Sequence, residues 1–207
     1  MKDSLKRENH WQKVYDTKSD NEVSWYQDKP VVSLELIESL DIDKNAKIID
    51  VGGGNSNLIA ELQKRNFNNL SLLDISENAL RRSREKLKEN GDKIDWIASD
   101  ILDFEPKLKY NIWHDRATFH FLTNDDDIQK YIDILNSSVE NDGYFILATF
   151  SETGPLKCSG LEIKQYSGDK LENLFGKYFR LLKSFNQVHQ TPFGTEQNFI
   201  YNLFQRI

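Results

Sequence analysis

The spacing of hydrophobic positions changes several times along the chain, and each change marks an element. Residues 4 to 17 are mostly polar with Trp11, Val14 and Tyr15 at helical spacing, which predicts a half-exposed helix. Asp20-Asn21 breaks it, and Val23-Ser24-Trp25-Tyr26 follows as an aromatic segment. Pro30 suits the first turn of a second helix, in which Val31, Leu34, Ile37 and Leu40 recur every three or four residues. Continuous apolar runs then predict buried strands at 46–51, 70–74, 94–98, 110–114 and 144–150. Helical patterns separate them at 56–66, from the capping Ser76 to about 89, and at 125–138.

Strands alternating with helices are the pattern of a parallel sheet covered on both faces. The last third differs. Residues 151–165, with Gly154, Pro155 and Gly160, read as a loop, and 167–176 as a helix. Strands at 179–188 and 197–206 flank Gln190-Thr191-Pro192-Phe193-Gly194. Strands joined so closely must pair antiparallel.

The chain turns on Ala46 to Ser56, where an apolar strand runs into Gly52-Gly53-Gly54 and then a helix. Glycine lets a ligand approach the backbone, and the helix start offers free N–H groups. The dinucleotide fingerprint would require glycine at position 57, where Asn57 stands. The pattern is instead Asp50-x-Gly52-x-Gly54-x-Ser56, with Asp50 placed to hold a ligand ammonium and Asn55-Ser56 closing the turn. Three more acids, Asp74, Asp100 and Asp115, follow later strands, at the carboxyl ends where open α/β sheets bind ligands. Asp74 lies 20 residues beyond Gly54 and can accept hydrogen bonds from both hydroxyls of a ribose.

This combination resembles motif I and the strand-end acids of the class I S-adenosylmethionine (SAM)-dependent methyltransferases. The resemblance covers about residues 46–150 by motif and the remainder by topology. It implies a three-layer α/β/α sandwich around a Rossmann-like, seven-stranded, mainly parallel sheet of order 3-2-1-4-5-7-6, ending in an antiparallel C-terminal hairpin. It implies SAM as cofactor and S-adenosylhomocysteine as product. The expected cofactor-binding residues are Trp25, Asp50, Gly52, Gly53, Gly54, Asn55, Asp74, Ile75, Ser99, Asp100, Ile101 and Asp115. Asp100 falls where family members bind the adenine amino group, with Ile101 against the ring, and Asp115 could meet the methionine end or the acceptor.

Methyl transfer needs nucleophile, methyl and sulfur in line, water excluded, and sometimes a base. The segment Trp113-His114-Asp115-Arg116-Ala117-Thr118-Phe119-His120 supplies the candidate catalytic residues His120, His114 and Asp115. Tyr26, His189 and Gln197 are candidates for acceptor binding. The whole chain, 1–207, reads as one methyltransferase domain. Residues 1–44 form N-terminal helices and cap, 45–150 the cofactor core, and 151–207 the acceptor-side loop and hairpin.

Composition narrows the partners. A formal net charge of −6 argues against a general nucleic-acid binder, and a single cysteine, Cys158, excludes an intrachain disulfide and a multi-cysteine zinc site. No apolar run approaches the roughly 20 residues of a membrane helix, and no apolar signal core follows Met1, so a cytoplasmic location is the expectation. Two acceptors compete. His10-Trp11-x-x-Val14-Tyr15, with Val23-Ser24-Trp25-Tyr26, is similar to the lysine methyltransferases that modify elongation factors. Asp115-Arg116-Ala117-Thr118 in a compact chain is similar to small-molecule enzymes of the thiopurine and thiol type. The expectation leans to a small-molecule thiol, amine or similar nucleophile, with protein lysine as the alternative and a non-catalytic SAM-binding module as the reading of another class. Monomer and dimer both stay open.

Overall fold

The computed structural model describes residues 2–207, with side chains from Ser4 onward. A seven-stranded sheet runs β1 (Lys47–Val51), β2 (Asn69–Asp74), β3 (Ile94–Ala98), β4 (Tyr110–Arg116), β5 (Val139–Phe150), β8 (Phe179–Gln190) and β9 (Glu196–Arg206) in sequence. The short strands β6 (Lys157–Cys158) and β7 (Leu161–Glu162) form a separate hairpin. The spatial order is β3-β2-β1-β4-β5-β9-β8. The first five strands are parallel, and β9 pairs antiparallel to both β5 and β8. This is the expected order 3-2-1-4-5-7-6 once the seven strands of the sheet are numbered alone.

Alternation along each strand divides the apolar side chains between two cores. On one face, α2 (Val31–Glu38), α3 (Leu58–Lys64) and α4 (Glu77–Leu87) cover Ile48, Leu72, Ile112 and Ile146. On the other, α5 (Asp125–Ser138) and α6 (Gly168–Phe175) cover Ile49, Trp113, Phe145 and Phe204. Helix starts are fixed by short polar caps: the side chains of Ser76, Asn124 and Ser167 accept from the amides of Ala79, Asp127 and Lys170.

Three boundaries depart from expectation. β5 begins at Val139 rather than 144, directly after α5. β4 extends through Arg116, so Asp115 and Arg116 belong to the strand and obey its alternation. Part of the expected loop 151–165 pairs as the β6–β7 hairpin.

The N-terminal helix α1 (Lys2–Thr17) lies across the carboxyl ends of β2 and β3 and is held there by polar contacts. Ser4 Oγ donates to Asp103, 2.9 Å, and Arg7 Nε to Asp100, 2.7 Å. Gln12 Oε1 accepts from the Ser76 hydroxyl at 3.0 Å, and Asn78 Nδ2 donates to Asp16 at 2.6 Å. The mostly polar sequence of α1 follows from this: it is a roof over a site, not a core helix. Among the described residues no helix is long and apolar enough to cross a membrane.

Candidate active site

The turn after β1 is built by glycine. Gly52 and Gly54 have φ of +64° and +53°, a region that side chains disfavour. A Cβ on Gly52 would stand 1.7 Å from Thr118 Oγ1, and one on Gly54 2.2 Å from the Tyr15 hydroxyl. The amides of Gly52 and Gly53 both donate to the Leu73 carbonyl, at 2.7 and 3.3 Å, which ties the turn to the end of β2. Ser83 Oγ donates to the Gly54 carbonyl at 2.8 Å. Asn55 donates to Asp20, which also pairs with Lys86.

A cavity opens beside this turn at the carboxyl ends of the strands. One half is lined by Gly52, Asp74, Ile75, Ser99, Asp100 and Ile101, the other by Trp11, Trp25, Arg116, Phe121, Leu122 and Cys158. A neighbouring cavity shares Gly52, Trp25 and Arg116 and continues past Tyr26, Asp50, Gly53, Asn55 and His114.

Asp74 is buried and accepts from the Ser76 amide at 2.7 Å. Burial lifts its carboxyl to about 7, against the pull of the Ser76 and Gly54 amides. Such a group gains from ligand hydroxyls that donate to it. Asp100 accepts from the Leu102 amide at 3.0 Å and is paired with Arg7 of the roof. Asp50 takes the Ser56 hydroxyl at 3.0 Å on one oxygen and His114 Nδ1 at 2.7 Å on the other.

The chemistry-bearing residues of β4 separate by strand alternation. His114 faces α2, where its Nε2 lies 2.8 Å from Ser33 Oγ, so both ring nitrogens are engaged. Asp115 points to the opposite face. It accepts from the amides of Thr118 and Phe119 at 3.0 and 3.2 Å and from the Tyr131 hydroxyl at 2.7 Å. Burial pushes Asp115 up to about 6. The Asp115 carboxylate thereby caps the turn that carries Ala117, whose φ of +69° is strained for alanine. Left-handed alanine costs about 1–2 kcal/mol, and hydrogen bonds to a charged group, at about 1.5–3 kcal/mol each, offset it. Asp115 is therefore a positioning residue: it shapes the Ala117–Thr118 wall of the cavity without lining it.

The other histidines also lie off the cavity wall. His120 Nδ1 accepts from the Phe150 amide at 3.3 Å, and the ring packs against Phe121 and Phe150. Burial, with Arg116 nearby, drives His120 down to about 3, so it stays neutral. His189 Nε2 is bonded to the Ser24 carbonyl at 2.8 Å, and burial lowers its pKa. Gln197 is buried on β9.

A family model described as a methyltransferase domain matches residues 42–201, most of the chain. The chain belongs to the SAM-dependent class I methyltransferases. This methyltransferase is 31% identical over 127 residues to the EEF1A lysine methyltransferase 2 of Danio rerio, covering 58% of this chain and 54% of that protein. It is 26% identical over 142 residues to the carboxy-S-adenosyl-L-methionine synthase of Nautilia profundicola, covering 65% and 57%. The chain thus spans little more than half the length of these two relatives. A SAM-dependent methyltransferase structure from Anabaena variabilis shares the fold, with a TM-score of 0.75 at 14% identity over 99% of this chain and 95% of that one.

Of the residues expected to bind the cofactor, Gly52, Asp74, Ile75, Ser99, Asp100 and Ile101 line one side of the same cavity, with Asp74 at the end of β2 between the glycine turn after β1 and Asp100 after β3. Sequence reasoning missed the roof contribution of Arg7, Trp11 and Tyr15 and gave Arg116 no role of its own; Cys158, which reads from the sequence as an incidental thiol in preference to a loop residue facing the pocket, lines the cavity. Arg7 and Asp100 are 93 positions apart, so no local pattern announces their pairing. Arg116 carried a signal, being a cation at the end of an otherwise apolar strand pattern, directly after Asp115.

Proposed function

We propose that this methyltransferase moves a methyl group from SAM to a small-molecule nucleophile held in the second half of the cavity. The observation that carries this is the make-up of that half. Trp11 meets Trp25 and Phe121 edge to face, with centroids 5.7 and 5.0 Å apart, beneath the roof helix. Cys158 of the β6–β7 hairpin closes the side. An apolar, roofed compartment beside the cofactor half excludes water and orients a compact acceptor.

When bound, SAM supplies a methyl group made electrophilic by a sulfonium, a charge that aromatic faces attract by about 0.5–2 kcal/mol. The chain's own contribution is binding, orientation and dryness. The acceptor side of the wall holds no ready base: Asp74 and Asp100 lie on the cofactor side, where Asp100 is paired with Arg7, and burial pushes the Cys158 thiol up to about 11. This favours an acceptor that presents its own lone pair, such as a thiolate, a neutral amine or a carboxylate. Transfer to a protein lysine is the second reading, favoured by the similarity to the elongation-factor enzyme.

Incubating the protein with methyl-labelled SAM and a cell lysate, then separating small molecules from proteins, tests both. Enzyme-dependent label in a small molecule that chromatography separates from SAM and its breakdown products supports the proposal. Acid-stable label in methyl-lysine overturns the acceptor class. Binding of S-adenosylhomocysteine without label in either fraction points to a non-catalytic module.

A further inference from the structure

We infer that Arg116 is the receptor for a carboxylate, or a similarly compact anion, carried by the methyl acceptor. This rests on the methyltransferase reading above and names the chemical class of its acceptor.

Arg116 closes β4 on the face toward the second half of the cavity. Its Nε donates to the Tyr201 hydroxyl at 3.1 Å and its Nη1 to the Trp25 carbonyl at 2.9 Å. The guanidinium carbon sits 4.9 Å from the centre of the Phe199 ring. These contacts fix the orientation of the group but leave its charge uncompensated. Nη2 is buried without a hydrogen-bond partner, and no ion pair among the described residues includes Arg116. Removing a cation from water without a counter-charge is costly, so such a site is built for an anion that arrives from outside. A planar fork with a free arm matches a carboxylate oxygen better than any neutral group.

The geometry also says where that anion comes from. The two acids of the cavity wall, Asp74 and Asp100, lie in the cofactor half, and Asp100 already has Arg7. Arg116 is instead bracketed by Trp25 and Tyr201, in the compartment assigned to the acceptor. Because it also borders the neighbouring cavity, the carboxylate of the cofactor's methionine end is the competing source. A lysine ammonium would meet a like charge here.

The test uses three probes of one shape and different charge: phenylacetate, phenylacetamide and phenethylamine, titrated into the 207-residue chain saturated with S-adenosylhomocysteine. The expected result is at least tenfold tighter binding of phenylacetate than of the other two, a preference that Arg116→Gln abolishes. In that variant the affinity for S-adenosylhomocysteine stays within about threefold of wild type. Arg116→Lys keeps the charge without the fork and retains a reduced preference, so a Gln variant that fails to fold does not end the test. Absence of a carboxylate preference, or its survival in Arg116→Gln, overturns the inference. So does a tenfold loss of S-adenosylhomocysteine affinity in Arg116→Gln with unchanged binding of 5′-methylthioadenosine, which lacks the carboxylate: the anion is then the cofactor's. Failure of the wild type to bind S-adenosylhomocysteine at all is a separate result that removes the methyltransferase reading and this inference with it.

Discussion

Replacing Asp74 with asparagine separates what the site needs from what the fold needs. Burial raises the Asp74 carboxyl from 3.8 to about 7. The folded protein therefore holds this proton more tightly than the unfolded chain between about pH 4 and pH 7, and stability contributed here falls as pH rises through that window. At about 1.36 kcal/mol per pH unit, ionising Asp74 costs the ligand-free fold about 4 kcal/mol by pH 8. Asparagine carries no charge, and its oxygen can keep the 2.7 Å bond from the Ser76 amide. Its NH2 cannot accept from the Gly54 amide, a loss of about 1–2 kcal/mol. Asp74→Asn is therefore expected to be more stable than wild type by about 2–3 kcal/mol at pH 8 and about equal to it at pH 5. Urea denaturation at both pH values, without ligand, measures the difference. Calorimetry on the same variant should show S-adenosylhomocysteine binding about a hundredfold weaker, since hydrogen bonds to a charged group are worth about 1.5–3 kcal/mol each. A stability difference that does not change with pH would refute the burial argument. Unchanged ligand affinity would refute the ribose assignment.

Three further outcomes are expected. Gly52→Ala should destabilise the protein by about 2–5 kcal/mol, the sum of left-handed strain and overpacking against Thr118; a loss under about 1 kcal/mol by denaturation would mean the turn is not tight. The ring resonances of His120 should not shift between pH 5 and 8, because the imidazole is held near 3 and stays neutral, while the unfolded chain takes up the proton below 6.5. This group thus subtracts stability as pH falls through 6.5, and an NMR titration near neutrality would instead return His120 to the candidate bases. Added salt should speed amide exchange in residues 4–17 relative to β1 and β4, since α1 is docked by partly exposed polar pairs such as Arg7–Asp100; exchange insensitive to salt would point to apolar docking.

Short-range features of the site were legible because they are written in adjacent residues. The glycine turn, Asp74 at the end of β2 and Asp100 after β3 depend only on a strand stopping where its apolar run stops. The fourth acid was different. Whether Asp115 faces the cavity turns on where β4 ends, and with side chains alternating, a strand that runs to Arg116 sends Asp115 to the α5 side and Arg116 to the acceptor side. The histidines misdirect for a related reason. Their residue type advertises chemistry, but His120 and His189 are anchored to the Phe150 amide and the Ser24 carbonyl through folding that no local pattern encodes. The roof was legible as a helix but not as a roof, because its purpose lies in contacts such as Gln12–Ser76, 64 positions apart.

The place of β9 has a consequence for synthesis. It is made after β8 yet inserted between β8 and β5. Until residue 206 has left the ribosome, one whole edge of β5 has no partner. That strand presents Phe145, Ile146, Leu147 and Ala148, all fully buried once the sheet is complete. An unpaired, apolar strand edge is a template for any other extended chain. The nascent chain, far more than the finished sheet, is thus the species at risk of aggregation, and a ribosome that stalls within β9 leaves an adhesive edge rather than a trimmed protein.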